Sequence, residues 1–135
     1  MPFIQNVSWI DVKRGDHKFE PGNTILIQIA EISFPDPKHT FLATYQFNFS
    51  DVDSEDHEDA PTDQHAADLV KILDKALAAG HNVVVHCVAG LCRSGAVAEV
   101  GILLGFEDTG ATRCPNVILK NKMMRILRER EGVGY

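Results

Sequence analysis

An α/β fold, with a central, mostly parallel, twisted sheet of about four to five strands flanked by helices, follows from three features of the sequence. The second half runs in the order amphipathic helix, β-branched run, glycine-containing loop, apolar helix, which is the order of a parallel crossover unit. Asn82-Val83-Val84-Val85-His86 is continuously apolar through its middle, as a strand covered on both faces requires. In the first half Ile25, Ile27 and Ile29 recur with a period of two, which marks a strand.

Taken in order, Val7 to Val12 reads as the first strand and ends in the polar turn Arg14, Gly15, Asp16. Thr24 to Glu31 is the second. Ser33 to Lys38 breaks the pattern, because Pro35 and Pro37 lack N–H donors and restrict the residues before them. A third strand is expected from about Phe41 to Phe49, where Tyr45, Phe47 and Phe49 alternate. Ser50 to Asp63 is an acidic, turn-forming loop. Thr62 can cap a helix to Ala79, since Ala66, Leu69, Val70, Leu73 and Leu77 share one face and Gly80 ends it. After the Asn82–His86 strand, an apolar helix is expected from Ser94 to Leu104, closed by Gly105. Asn116 can cap a last helix to about Glu131. Trp9 and the phenylalanines read as core. No repeat or linker interrupts the chain, so residues 1–135 are expected to form a single domain.

Composition narrows the function. Of 135 residues, 44% are hydrophobic and 24% charged, the balance of a soluble globular domain. A formal charge of −6 argues against nucleic acid or an anionic membrane as partner, because clustered Lys and Arg carry such binding. The opening Met-Pro-Phe-Ile-Gln is no secretory leader, and no apolar run approaches the ~20 residues of a membrane helix, so a cytoplasmic, monomeric protein is expected. Three cysteines fit neither a disulfide framework nor a zinc knuckle. His17, His39, His57, His65 and His81 stand singly in polar surroundings and form no metal set. Asp51, Asp53 and Glu55 begin like a calcium loop, but Asp56 stands where glycine is needed and Thr62 where glutamate is.

The chemistry is concentrated in His86-Cys87-Val88-Ala89-Gly90-Leu91-Cys92-Arg93-Ser94. Five residues between a cysteine and an arginine are enough to wrap backbone around one tetrahedral anion. Successive N–H groups of Val88, Ala89, Gly90, Leu91 and Cys92 then make an anion nest, and the helix beginning near Ser94 adds its positive end. Gly90 supplies a conformation that a Cβ resists. Arg93 closes the cradle as a planar fork for two oxygens. The field that holds a phosphate dianion also favours a thiolate, and such surroundings bring a cysteine from ~8.5 to ~3.5–7.5. Cys87 is thereby the candidate nucleophile, provided that it is ionised near neutrality and within reach of solvent.

The stretch HCVAGLCRSG resembles the signature of the protein-tyrosine-phosphatase superfamily, and most closely its compact dual-specificity branch. Ala66 to Val85 fits that family's layout, and Cys114-Pro115-Asn116 before a helix is similar to small bacterial members. The resemblance runs from roughly Tyr45 onward. It implies phosphomonoester hydrolysis through a phosphocysteine, on a phosphorylated protein or a small phosphomonoester, with no metal and no organic cofactor. A loop aspartate upstream of the cysteine is implied as general acid and base. Asp51, ending Phe47-Asn48-Phe49-Ser50-Asp51, is the first choice, with Asp53 and Asp56 as alternatives. Ser94 is implied as a hydroxyl that helps the sulfur leave, and His86 as orienting and electrostatic support behind the loop. Cys92 is either a tolerated small side chain or a second thiol able to trap oxidised Cys87 as a disulfide. Cys114 reads as structural. A catalytically silent module that keeps the cradle only to bind a phospho-ligand is the competing reading.

Overall fold

The computed structural model describes residues 1–130. Five strands form one sheet, β1 (Phe3–Ser8), β2 (Thr24–Ala30), β3 (Thr44–Asn48), β4 (Asn82–Cys87) and β5 (Glu107–Asp108), in the order β3-β2-β4-β1-β5. Every pairing is parallel, so the mostly parallel sheet expected from the sequence is parallel throughout. Four helices accompany it: α1 (Trp9–Arg14), α2 (Asp63–Ala79), α3 (Arg93–Leu104) and α4 (Val117–Arg130).

β4 lies at the centre, with Val83 opposite both Ile4 and Ile25 and Val85 opposite both Asn6 and Ile27. Its β-branched run serves two cores because successive side chains point to opposite faces. Val83, Val85 and Cys87 join the larger core, which holds Leu69 and Leu73 of α2, Val97 and Val100 of α3, and Leu119 and Met123 of α4. Val84 turns to the smaller core of Phe3, Val7, Val12 and Leu26. Three helices thus cover one face, while α1 and the irregular chain after β2 cover the other. Gln28, buried in β2, fixes part of that second layer by donating to the Pro35 carbonyl (3.1 Å).

The first segment departs from the strand expected over Val7–Val12. β1 begins at Phe3 and stops at Ser8, where Ser8 and Asp11 form a reciprocal capping box and start α1. Apolar alternation across Val7, Trp9 and Val12 masked this short cap, and side chain to backbone bonding won. Trp9 consequently stands half-buried, not in the core, with the Lys13 ammonium 5.5 Å from its ring centroid. Among the phenylalanines, Phe3, Phe47, Phe49 and Phe106 are buried, whereas Phe19, Phe34 and Phe41 are partly exposed. The third strand is shorter than expected, and the two-residue β5 has no periodicity by which to be seen. Thr62 does cap α2, sharing a capping box with His65, and Asn116 caps α4 by accepting from the Leu119 N–H (3.0 Å). No helix among the described residues is long and apolar enough to cross a membrane.

His86 is fully buried in β4, and burial lowers its pKa from 6.5 to about 4. Because the folded value lies below the unfolded one, the unfolded chain takes up the proton first as pH falls. Stability from this group is complete above about pH 6.5 and declines toward pH 4, by up to about 3 kcal/mol. Burial shifts His17 and His65 the same way. Urea unfolding between pH 7 and pH 4.5 should show this loss, and His86→Gln should flatten the slope; an unchanged slope would place the titration elsewhere.

Candidate active site

The loop Val88–Cys92 leaves the carboxyl end of the central strand and enters α3, the end at which open parallel sheets take their ligands. Its carbonyls are tied to the scaffold. The Val88 oxygen accepts from the Trp9 N–H (3.1 Å), the Leu91 oxygen from the Cys114 N–H (3.0 Å), and the Cys92 oxygen from the N–H groups of Ala96 and Asn116 (both 2.9 Å). The Gly90 oxygen accepts from Asn6 Nδ2 (2.8 Å), which also donates to the Thr112 carbonyl (3.0 Å).

In a trans peptide the N–H points opposite to the C=O of the same plane. Tying those four oxygens to the scaffold therefore turns the N–H groups of Ala89, Leu91, Cys92 and Arg93 the other way. Among the described residues no backbone N–H from Val88 to Cys92 donates to a protein acceptor. α3 opens without a side-chain cap, so its first amides are left for an external acceptor. The result is a concave row of free donors, the arrangement that binds anions. Gly90 is required twice over. Its φ is 78°, and a Cβ there would lie 2.5 Å from Ser8 N and Val7 C.

Cys87 ends β4 just before the loop, its Sγ 3.1 Å from Ser94 Oγ. It is 2% exposed and packs with the larger core, which departs from the solvent-accessible thiol expected from the sequence. His86 offers Nδ1 to the Cys87 carbonyl (3.3 Å), which can only accept, so the neutral ring carries its proton there. Its support for the loop is thus an N–H dipole and no full charge, since burial holds the ring neutral at pH 7.

Arg93 is buried at the start of α3. Its Nη1 donates to Glu31 Oε1 (3.0 Å) and to the Phe49 carbonyl (2.9 Å), while Nε is buried with no acceptor. An orphaned guanidinium N–H is costly unless something fills it, and an oxyanion in the adjoining loop would. Glu31 was not singled out from the sequence. It ends the second strand's apolar run, as many solvated carboxylates do, and only the fold brings it 62 positions along the chain to Arg93.

Asp51 is exposed, and its Oδ1 accepts from Asn116 Nδ2 (2.8 Å). The Cys92 thiol has its pKa pushed up to about 11, by burial first and by the Asp51 charge second. Cys92 therefore remains a thiol at neutral pH. As thiolate is the species that traps an oxidised sulfur, its scarcity weighs against the disulfide role. No described hydrogen bond or ion pair joins Asp53 or Asp56 to the cradle; the Asp56 N–H merely bonds Ser54 Oγ (3.3 Å). The acidic loop is closed by the Ser50 N–H on the Asp59 carbonyl (2.7 Å). Lys122 pins it through Glu55 (3.1 Å) and Asp63 (2.8 Å). Cys114 is exposed, and it contributes through its backbone.

Nothing in the sequence marks Asn6 as a site residue, and Asn116, expected as a helix cap, also holds Asp51 and the Cys92 carbonyl. Beside the cradle opens a cleft of about 460 Å³ whose walls include Trp9, Ile10, Ile32, Glu31 and Val88. It shares Val88 with the loop and Glu31 with Arg93.

Comparisons with known proteins agree with this fold. The family profile described as dual specificity phosphatase, catalytic domain, matches residues 24–103. That match begins earlier than Tyr45 and ends before Cys114-Pro115. No curated protein matches the sequence. Among solved structures, human DUSP28 is similar with a TM-score of 0.68 at 16% identity, over 98% of this chain and 96% of that one. A human tyrosine phosphatase-like serine/threonine/tyrosine-interacting protein gives 0.66 at 16% identity, over 97% and 95%. A mouse putative dual specificity phosphatase complexed with zinc tungstate gives 0.59 at 17% identity, over 83% and 76%. With the cradle, its cysteine and its arginine carried on a five-stranded parallel sheet, the chain belongs to the dual specificity phosphatase catalytic-domain family.

Proposed function

We propose that the chain hydrolyses phosphomonoesters through a phosphocysteine on Cys87. The observation that carries this reading is the row of free amides between Cys87 and Arg93, next to an arginine whose Nε has no acceptor. In the proposed sequence Cys87 Sγ attacks phosphorus and the bond to the leaving oxygen breaks, with Asp51 supplying that oxygen's proton. Water then attacks the phosphocysteine, Asp51 takes its proton, and the S–P bond breaks with the Ser94 hydroxyl donating to the departing sulfur. The N–H groups from Val88 to Cys92 and the Arg93 fork receive the charge gathering on the phosphoryl oxygens, a preorganised term that is usually the largest. A positioned acid contributes roughly 10²–10⁴ in rate.

Asp51 is favoured over Asp53 and Asp56 because Asn116, whose own N–H donates to the Cys92 carbonyl of the cradle, also holds the Asp51 carboxylate. The cleft lined by Trp9, Ile10 and Ile32 suits an apolar leaving group such as the phosphotyrosine ring, and its open rim leaves room for phosphoserine and phosphothreonine.

The silent phospho-ligand module has one observation in its favour, the 2% exposure of Cys87. Assay of p-nitrophenyl phosphate separates the two. On the enzymatic reading wild type turns over and Cys87→Ser does not, while Cys87→Ser still binds tungstate because the amides and Arg93 survive. Wild type that binds tungstate without turnover would establish the silent module.

Two further outcomes are expected. Gly90→Ala should weaken tungstate binding at least about tenfold, since the loop must leave Val7 and Ser8 to admit a Cβ; unchanged binding would dissociate the cradle from this geometry. Asp51→Asn should slow alkyl phosphates by roughly 10²–10⁴ and p-nitrophenyl phosphate, a good leaving group, far less. Equal loss on both substrates would transfer the acid's role to another residue.

A further inference from the structure

The two ends of the sheet differ. β5 is two residues long, Glu107 and Asp108, both exposed and both acidic, and such an edge repels an incoming strand. β3 is five residues long, Thr44-Tyr45-Gln46-Phe47-Asn48, with no charge and no proline. It pairs on one side only, with β2.

The register shows which groups are free. The Leu26 N–H donates to the Ala43 carbonyl, and Leu26 stands opposite Thr44. In a parallel ladder of this phase the odd residues Tyr45 and Phe47 bond inward to β2. The N–H and C=O groups of Thr44, Gln46 and Asn48 therefore face away from the sheet.

Beside this edge a groove of about 480 Å³ runs between β3 and α2, walled by Tyr45, Phe47, Ile72, Lys71 and Lys75. Through Tyr45, Ile72 and Lys75 it continues into a recess of about 180 Å³ that reaches the exposed Leu42. Lys71 and Lys75 are exposed, one turn apart on α2, and neither makes an ion pair or a side-chain hydrogen bond among the described residues. By contrast Lys120, Lys122, Arg113 and Arg130 all have carboxylate partners. The groove's own acid, Asp68, already accepts from Gln64 Nε2 (2.8 Å).

We propose that the open edge of β3 and its groove receive an extended acidic segment of a partner protein as a sixth strand. Backbone groups of Thr44, Gln46 and Asn48 supply the ladder, Tyr45 and Ile72 receive an apolar side chain, and Lys71 and Lys75 select acidic ones. A second copy of this chain fits poorly. Edge-to-edge pairing would set the two copies' Lys71 and Lys75 pairs against each other.

The test uses the ¹⁵N-labelled chain and a capped heptapeptide, Glu-Val-Thr-Glu-Val-Thr-Glu, with two controls: the same peptide with Lys for Glu, and the same peptide N-methylated at alternate residues. The acidic peptide should shift the amide signals of Thr44, Gln46 and Asn48 saturably, and both controls should fail. K71E/K75E should weaken binding about tenfold while leaving p-nitrophenyl phosphate turnover unchanged. The proposal is overturned if the shifts fall elsewhere, if the N-methylated peptide binds equally, or if charge reversal has no effect. Shifts that grow with protein concentration in the absence of peptide would also overturn it, in favour of self-association.

Discussion

Backbone carbonyls held from behind are what the rest of the active-site architecture rests on. A five-residue loop with its N–H groups converging on one point is electrostatically unfavourable when empty, because like partial charges are brought together. The cost is met by the scaffold: Trp9 and Asn6 on one side and Cys114, Asn116 and Ala96 on the other hold the peptide planes by their oxygens. Such a loop is already set before an anion arrives, so little ordering remains to oppose binding. It also explains why α1 begins where it does. The Ser8 cap that ends the first strand presents the Trp9 N–H to Val88.

The sheet delivers these anchors. β1 and β4 are neighbours, with Ser8 opposite Cys87, so both strands end at the same level and the loop leaves one while being pinned by the other. Gly90 is packed so closely on Val7 and Ser8 that loop and strand behave as one body. On the other side β2 ends beside β4 and places Glu31 against the arginine. The active centre is thus assembled by the ends of three adjacent parallel strands, one topological fact with three chemical results.

Much of this was legible in the chain. The uninterrupted Val83-Val84-Val85, the glycine-bearing loop and the arginine located the cradle, and Thr62 and Asn116 located two helix starts. What stayed hidden has a common physical cause. Asn6, Glu31 and the second role of Asn116 act across separations of 84, 62 and 65 residues, and nothing local distinguishes an asparagine that holds a carbonyl from one facing water. Ser8 and Asp11 failed as a signal for the opposite reason: their cap is local, but it lay within an alternating apolar stretch that suits a strand equally well. The depth of Cys87 depends on tertiary packing, so no local pattern could report it.

Arg93 grips two bodies at once, Glu31 after β2 and the Phe49 carbonyl after β3. One terminal nitrogen holds the Phe49 carbonyl at the root of the acidic loop, while the Nε of the same plane is left with no acceptor. A rigid planar group cannot turn one edge without swinging the other. On the proposed reading, the seat of the anion and the stem of the segment bearing Asp51 are therefore mechanically geared, and the number of turnovers lost on replacing this arginine would be a compound quantity, mixing weaker anchorage of the phosphoryl group with a proton donor set adrift.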